Sequence, residues 1–354
     1  MSSSRYLMYT NPTTFYKTIE IIKMKNLIII ILIASFLSSC SYNIYESGIS
    51  DDSKAVYDEF WHHVHENYIY FREKEVDWHS VYETYGRSLN AESSNQELFD
   101  AMEASLLELK DTHNNLKSTL GNGRVHNYRE GYDINFSIDV VDRNYIDGGL
   151  AQANIFSYGT IDQTTLYVYV PKMAAIPSLR ALLRRETSEQ TNKIIIDLRN
   201  NPGGDSNLVP RMLGDYVSER TYLGGYIEKS GPGIDDKTNP IAIYAEPASD
   251  YHFEGEVIIL INRVGYSATS YMTAMAKGLP NFTIIGQVTG GGGGGNAGYE
   301  LANGWLVNVS ISDFVDKEGT SIEIGVRPDI AVENSASDIA NGSDIMLEKA
   351  LSAR

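Results

Sequence analysis

From Asp51 onward, apolar residues return at every fourth position. Val56, Phe60, Val64 and Tyr68 mark one face of a helix. A second, shorter helix is expected to carry Trp78, Val81, Tyr82 and Tyr85. A third begins at Ser94, where Glu97 three residues on completes the reciprocal pattern of a capping box. It runs through Leu98, Met102, Leu106 and Leu109 and stops near Lys110. Asp111, Thr112 and His113 therefore fall at a helix exit, where side chains can turn into a cleft. Together these elements predict a small N-terminal helical subdomain over residues 51–116.

Beyond it the period changes. Residues 134–138 alternate like a half-buried strand, and 166–170 read as another. Residues 194–198 and 257–261 are near-continuous apolar runs, the pattern of strands covered on both faces. Helical stretches fall around 178–189, 208–218 and 268–277, with a strand at 282–285. Strand, helix, strand in that order implies parallel crossovers. The fold class is α/β, with a core over 117–335 and a C-terminal helix or tail over 336–354.

The N-terminus has a different pattern. Lys23 and Lys25 precede an apolar run over 27–37, followed by Ser38, Ser39 and Cys40. A spanning helix needs roughly 18 or more apolar residues and a signal-peptide core roughly 7–15, so the run fits the shorter class. Small residues directly before Cys40 resemble the lipobox of bacterial lipoproteins, which implies cleavage there and a lipid on the Cys40 thiol. A plain N-terminal membrane anchor is the alternative. Either way the remaining chain is exported. Residues 1–39 read as an extension upstream of Met24 plus the signal peptide, and 40–50 as a tether. Ser41, where an inner-membrane retention signal would place aspartate, favours the outer membrane. Cys40 is the only cysteine, so no disulfide forms within the chain.

Composition narrows the partners. With 42% hydrophobic and 21% charged residues, the chain can bury a full core. Its formal charge of −17 repels phosphate backbones, and no basic run offsets it, which excludes nucleic acid. His62, His63, His65 and Glu66 share an aromatic-rich helix without a second ligand cluster; an exposed helix face explains them better than a metal site.

Three places carry candidate chemistry. The apolar run 194–198 leads into Arg199-Asn200-Asn201-Pro202-Gly203-Gly204, whose glycines permit positive φ and whose amides could hold an oxyanion. A tight strand-to-helix turn is the plainer explanation. The run 257–261 leads into Asn262-Arg263-Val264-Gly265-Tyr266-Ser267-Ala268-Thr269-Ser270. A serine there faces the carboxyl end of the sheet, where ligands bind in open α/β folds. On spacing alone, capping the following helix is the plainer role for Ser267. Asp111-Thr112-His113 supplies an imidazole with the pKa range of a general base.

Asp197-Leu198-Arg199-Asn200-Asn201-Pro202-Gly203-Gly204, taken with Tyr266-Ser267-Ala268-Thr269-Ser270, resembles the C-terminal processing (tail-specific) peptidases, which share a catalytic core with tricorn protease. Asp111-Thr112-His113 and Gly325-Val326-Arg327-Pro328-Asp329-Ile330 look like two further motifs of that family, and the likeness spans roughly residues 51–335. The resemblance implies a ClpP/crotonase-like core without an inserted PDZ domain, since only about 50 residues separate His113 from Leu166. It implies Ser267 as nucleophile, with the amides of Ala268 and of Gly203 or Gly204 as oxyanion hole. The processing branch uses a lysine base, but the matching stretch here, Thr289 to Gly295, has none. The tricorn branch uses a histidine, which His113 supplies. There a glutamate completes the relay through a hydroxyl beside the histidine, for which Glu323 and Thr112 are the candidates. Gly290, Gly291 and Gly292 are expected to let an extended peptide lie against the backbone.

The expected activity is serine-type endopeptidase chemistry on peptide or protein substrates in the cell envelope, with no cofactor. A catalytically inactive relative that binds peptides or cell-wall material is the rival. An acyl-CoA hydratase-like enzyme shares the fold, but an exported lipoprotein would not meet that cofactor.

Overall fold

The computed structural model describes residues 51–132 and 135–353. The extension and signal peptide, Cys40 with its tether, and Ile134 lie outside them.

Asp52 caps α1 (Ser53–Asn67), whose buried side includes Val56, Phe60 and Val64. α2 (Trp78–Val81), capped by Asp77, continues into a π-helical turn over Tyr82–Gly86. α3 (Asn95–Glu108) carries the Ser94–Glu97 capping box. Two of the three histidines of α1, His63 and His65, are less exposed than expected. His65 stacks on Trp61 with ring centres 5.0 Å apart, and His63 on Tyr299 at 4.1 Å.

Next come β1 (Asn115–Ser118), β2 (Gly121–Asn122), α4 (Ile138–Asn144), β3 (Ala151–Ala153), β4 (Phe156–Thr160) and β5 (Thr165–Tyr169). The strand expected over 134–138 is absent where the chain is described. Residues 135–137 are irregular, and Ile138 opens α4, which buries Val140 and Val141. Side chains rather than a ladder hold this lead-in: Asn135 donates to Gln287 Oε1 at 2.6 Å and accepts from Asn262 Nδ2 at 2.9 Å.

The chain then alternates through α5 (Ile176–Glu186), β6 (Lys193–Asp197), α6 (Val209–Leu213), β7 (Thr221–Glu228), β8 (Ile241–Ala245) and β9 (Glu256–Ile261). It closes with α7 (Ala268–Ala276), β10 (Phe282–Gly286), β11 (Gly295–Glu300), β12 (Leu306–Val315), β13 (Ile330–Ala331), α8 (Ala336–Ala340) and α9 (Ile345–Ser352).

Among the described residues these strands make two sheets, giving a mixed α/β architecture with helices at the N-terminal end. One runs β13-β10-β9-β6-β5-β4-β3, parallel from β13 to β5 and antiparallel beyond. Ile194, Ile196, Val257 and Ile259 pack on one face and Ile195, Ile258 and Leu260 on the other, which explains why β6 and β9 read as unbroken apolar runs. The second sheet is antiparallel, β2-β1-β12-β7-β8, with β11 also on β12. Its Leu116, Val307 and Val309 share one core with Phe60, Val64 and Met102. The N-terminal helices thus complete their apolar burial on β1 and β12.

Because β6 and β9 are parallel neighbours, with Asp197 beside Leu260, the turns that leave their carboxyl ends lie side by side.

Candidate active site

The turn after β6 is closed by internal partners. The guanidinium of Arg199 is fully buried between two carboxylates, donating from Nε to Asp197 at 2.9 Å and from Nη1 to Asp344 at 2.7 Å. Asp344 is also the N-cap of α9, so this pair ties the strand end to the C-terminal helix. Asn201 reaches in several directions. Its side chain donates to the Val170 carbonyl at 2.8 Å, while its carbonyl accepts from the Tyr266 amide and the Thr269 hydroxyl, both at 3.0 Å. Gly203 has φ +97°, and a Cβ there would lie 2.7 Å from Ser267 Cβ and 2.9 Å from the Ala268 amide. Only glycine fits so close to the serine.

The turn after β9 is held differently. Ser267 has φ 54° and ψ −121°, a region costly for a residue with a side chain. The conformation is fixed from outside: the Ser267 amide donates to Gly291 O at 2.8 Å. The Ser267 side chain does not cap α7, so the simple capping explanation fails. Its hydroxyl instead lies 3.2 Å from His113 Nε2. The Ala268 amide, first in α7, makes no hydrogen bond among the described residues. Gly203 and Gly204 also separate here. The Gly203 amide is taken by Asn201 Oδ1 at 2.8 Å, whereas the Gly204 amide has no partner among the described residues.

His113 reaches the serine from the exit of α3, where Lys110 takes a positive φ of 49°. Asp111 Oδ1 accepts the His113 amide at 2.9 Å, and Asn296 of β11 donates to the His113 carbonyl at 3.1 Å. Ser310 of β12 locks this loop, with its hydroxyl on Asp111 Oδ2 at 2.7 Å and its amide on Asn114 at 3.0 Å. Burial pushes the His113 imidazole below its ordinary value, and Lys74 adds to this, while Asp111 opposes both. The imidazole therefore stays neutral, as a base must, to lower pH than a free histidine.

Thr112 and Glu323 are not joined as a relay. The Thr112 hydroxyl donates to the His126 carbonyl at 2.7 Å. Glu323, 2% exposed, instead pairs with Lys74 at 2.6 Å and accepts the Gly293 amide at 2.8 Å. Burial and the nearby Asp111 carboxylate push Glu323 up, against the pull of Lys74. The carboxylate nearest to the imidazole is Asp111, with Oδ1 3.8 Å from Nδ1. In the sequence Asp111 stands out only as the first residue of Asp111-Thr112-His113, two positions before the histidine.

The glycine run 290–295 has an internal use. The amides of Gly290 and Gly292 donate to the carbonyls of Gly265 and Glu323, and Gly291 O accepts from Ser267 and Ser270. Gly291 and Gly292 are buried, and a Cβ on Gly291 would lie 1.9 Å from Glu323 O. Close packing beneath the serine turn therefore accounts for them, whereas Gly290, also expected to meet substrate, borders a cavity of about 320 Å³. Among the described residues, no group of three or more His, Cys, Asp or Glu could hold a metal ion.

Known proteins share this chain's sequence pattern and fold. A sequence model of peptidase family S41 matches residues 164–332, and one of the tricorn protease C1 domain matches 51–106. No curated protein matches the chain. A candidate peptidase from Parabacteroides merdae ATCC 43184 is 31% identical, with a TM-score of 0.76 over 85% of this chain and 96% of its own. Mature CPAF (12%, TM-score 0.61, 85% and 96%) and a lipoprotein from Streptococcus agalactiae (18%, TM-score 0.51, 84% and 96%) share the fold.

Proposed function

The chain belongs to peptidase family S41, a family of serine peptidases, and we propose that it cleaves peptide bonds with Ser267 as nucleophile and His113 as general base. The observation that carries the reading is the 3.2 Å approach of the two groups across a serine held at positive φ. Nucleophile elbows aim a reactive hydroxyl with the same strained geometry.

The steps follow from the contacts. His113 Nε2 takes the hydroxyl proton as Ser267 Oγ attacks the peptide carbonyl. The unpaired amides of Ala268 and Gly204 receive the oxyanion, and losing one such donor typically costs about 10²–10³ in rate. Asp111, 3.8 Å from Nδ1, favours the imidazolium that forms. That imidazolium then protonates the leaving amine, and water releases the acyl group.

A fluorophosphonate probe tests this directly. It should label the wild-type chain on Ser267, and both Ser267→Ala and His113→Ala should abolish labelling while circular dichroism stays unchanged. A folded wild-type chain that never labels would instead support a peptide-binding relative without activity.

We also infer that Cys40 carries a lipid that holds the enzyme in the bacterial cell envelope, at the outer membrane. The pattern from Lys23 to Cys40 supports this, and no helix among the described residues is long and apolar enough to cross a membrane. Mass spectrometry of the exported protein should find diacylglycerol on an N-terminal Cys40; an intact residue 39–40 bond would overturn the inference.

A further inference from the structure

Between α5 and α6 lies a cavity of about 190 Å³ whose wall holds three arginines and no acid. Arg180 and Arg184 come from α5, one turn apart, and Arg211 from α6. The rest of the wall is apolar and includes Ile176, Leu208 and Met212. None of these residues belongs to the serine site. In a chain with 46 acidic against 29 basic residues, a wall of this kind runs against composition. Like charges gathered so closely repel, so other groups must hold them there.

Those groups do not line the cavity. Asp215, 2% exposed, accepts from Nε and Nη2 of Arg180 at 2.9 and 2.6 Å. The same carboxylate accepts from Nε of Arg184 at 2.9 Å, and Asp250 accepts from Nη1 of Arg184 at 2.9 Å. Arg184 also lies over the Tyr251 ring, 4.9 Å from the centroid. Both guanidiniums of α5 are thus oriented before any ligand arrives, which lowers the entropy lost on binding. Their charge is not cancelled. Three guanidiniums stand against two carboxylates, which leaves one positive charge. Nη1 of Arg180 and the whole guanidinium of Arg211 have no partner among the described residues.

We propose that this cavity binds a phosphodiester with an apolar tail, the chemistry of a phospholipid, through the free N–H groups of Arg180 and Arg211. The residual charge selects among anions. A single positive charge matches a phosphodiester, which carries one negative charge, better than a phosphate dianion. Guanidinium forks meet phosphate oxygens through paired hydrogen bonds. Ile176, Leu208 and Met212 supply the apolar side, and Leu208, 36% exposed, opens it to solvent. The formal charge of −17 does not prevent this, because exposed charges more than about 8 Å away are largely screened at physiological ionic strength.

Calorimetric titration of the full chain in a non-ionic detergent tests the site with three probes: dihexanoyl phosphatidylglycerol, its deacylated head group glycerophosphoglycerol, and inorganic phosphate. The lipid should bind tightest, with the head group roughly tenfold weaker, the worth of about two buried methylenes. Inorganic phosphate should bind weakest. Arg211→Gln removes a guanidinium that no described residue holds, so the unfolding temperature should not change. It should weaken lipid and head group about tenfold each, the worth of one charge-assisted hydrogen bond. Leu208→Ser should weaken the lipid and spare the head group. Equal affinity for lipid and inorganic phosphate overturns the lipid in favour of a free phosphate. No heat with any probe, or affinities that Arg211→Gln leaves unchanged, overturns the site.

Discussion

Two turns leave adjacent parallel strands of the same sheet, and they are finished in opposite ways. In the turn after β6, Arg199 is saturated by Asp197 and Asp344, Asn200 exchanges hydrogen bonds with Asn262, and Asn201 ties the turn to its neighbour. In the turn after β9, the hydroxyl of Ser267 meets only an imidazole, and the Ala268 amide meets no described residue. Both turns hold a non-glycine residue at positive φ, Asn200 at 60° and Ser267 at 54°. Strain alone therefore does not mark a nucleophile. What separates the two strained residues is unspent hydrogen-bonding capacity: Asn200 is bonded to Asn262 through both its amide and its side chain, whereas the Ser267 hydroxyl meets only the imidazole.

Three substitutions should separate scaffold from reactive groups. Arg199→Met should have the largest effect on folding. It leaves Asp197 and Asp344 buried without their cation, and urea unfolding should report a loss of about 3–5 kcal/mol. An unchanged midpoint would remove Arg199 from the scaffold. Asp111→Asn should spare stability by comparison but lower the Ser267 labelling rate about 100-fold, because the imidazolium loses a carboxylate 3.8 Å away. Thr112→Val should matter least, about threefold or less, since that hydroxyl serves the His126 carbonyl rather than the base. If the last two effects were reversed, a relay through Thr112 would replace the direct role of Asp111.

Much of the sheet that bears the site was legible in the sequence. The apolar runs of β6 and β9 could only belong to strands covered on both faces, and the serine and glycine turns follow them directly. The second sheet was not legible. β11 is largely exposed and holds two glycines, while β7 mixes glycine and tyrosine, so neither shows clean alternation. The pattern over 134–138 misled for the opposite reason: where the chain is described, 135–137 are an irregular lead-in held by Asn135 and Ile138 opens α4. His113 and Ser267, which the fold brings to 3.2 Å, were singled out by local motifs. The partners of Glu323 and Thr112 were not, because Lys74 and His126 come from segments distant in sequence, which only the folded chain brings to them.

The joint action of Ser267 and His113 is tested most directly by the fluorophosphonate labelling rate as a function of pH. Burial lowers the His113 pKa from 6.5, and the neutral ring is the active form, so the rate should fall only below pH 6.5 and stay level above it. His113→Ala should remove both the rate and its acid limb. A rate that survives His113→Ala, or that climbs steadily through pH 8 to 9, would mean that some other group activates the serine.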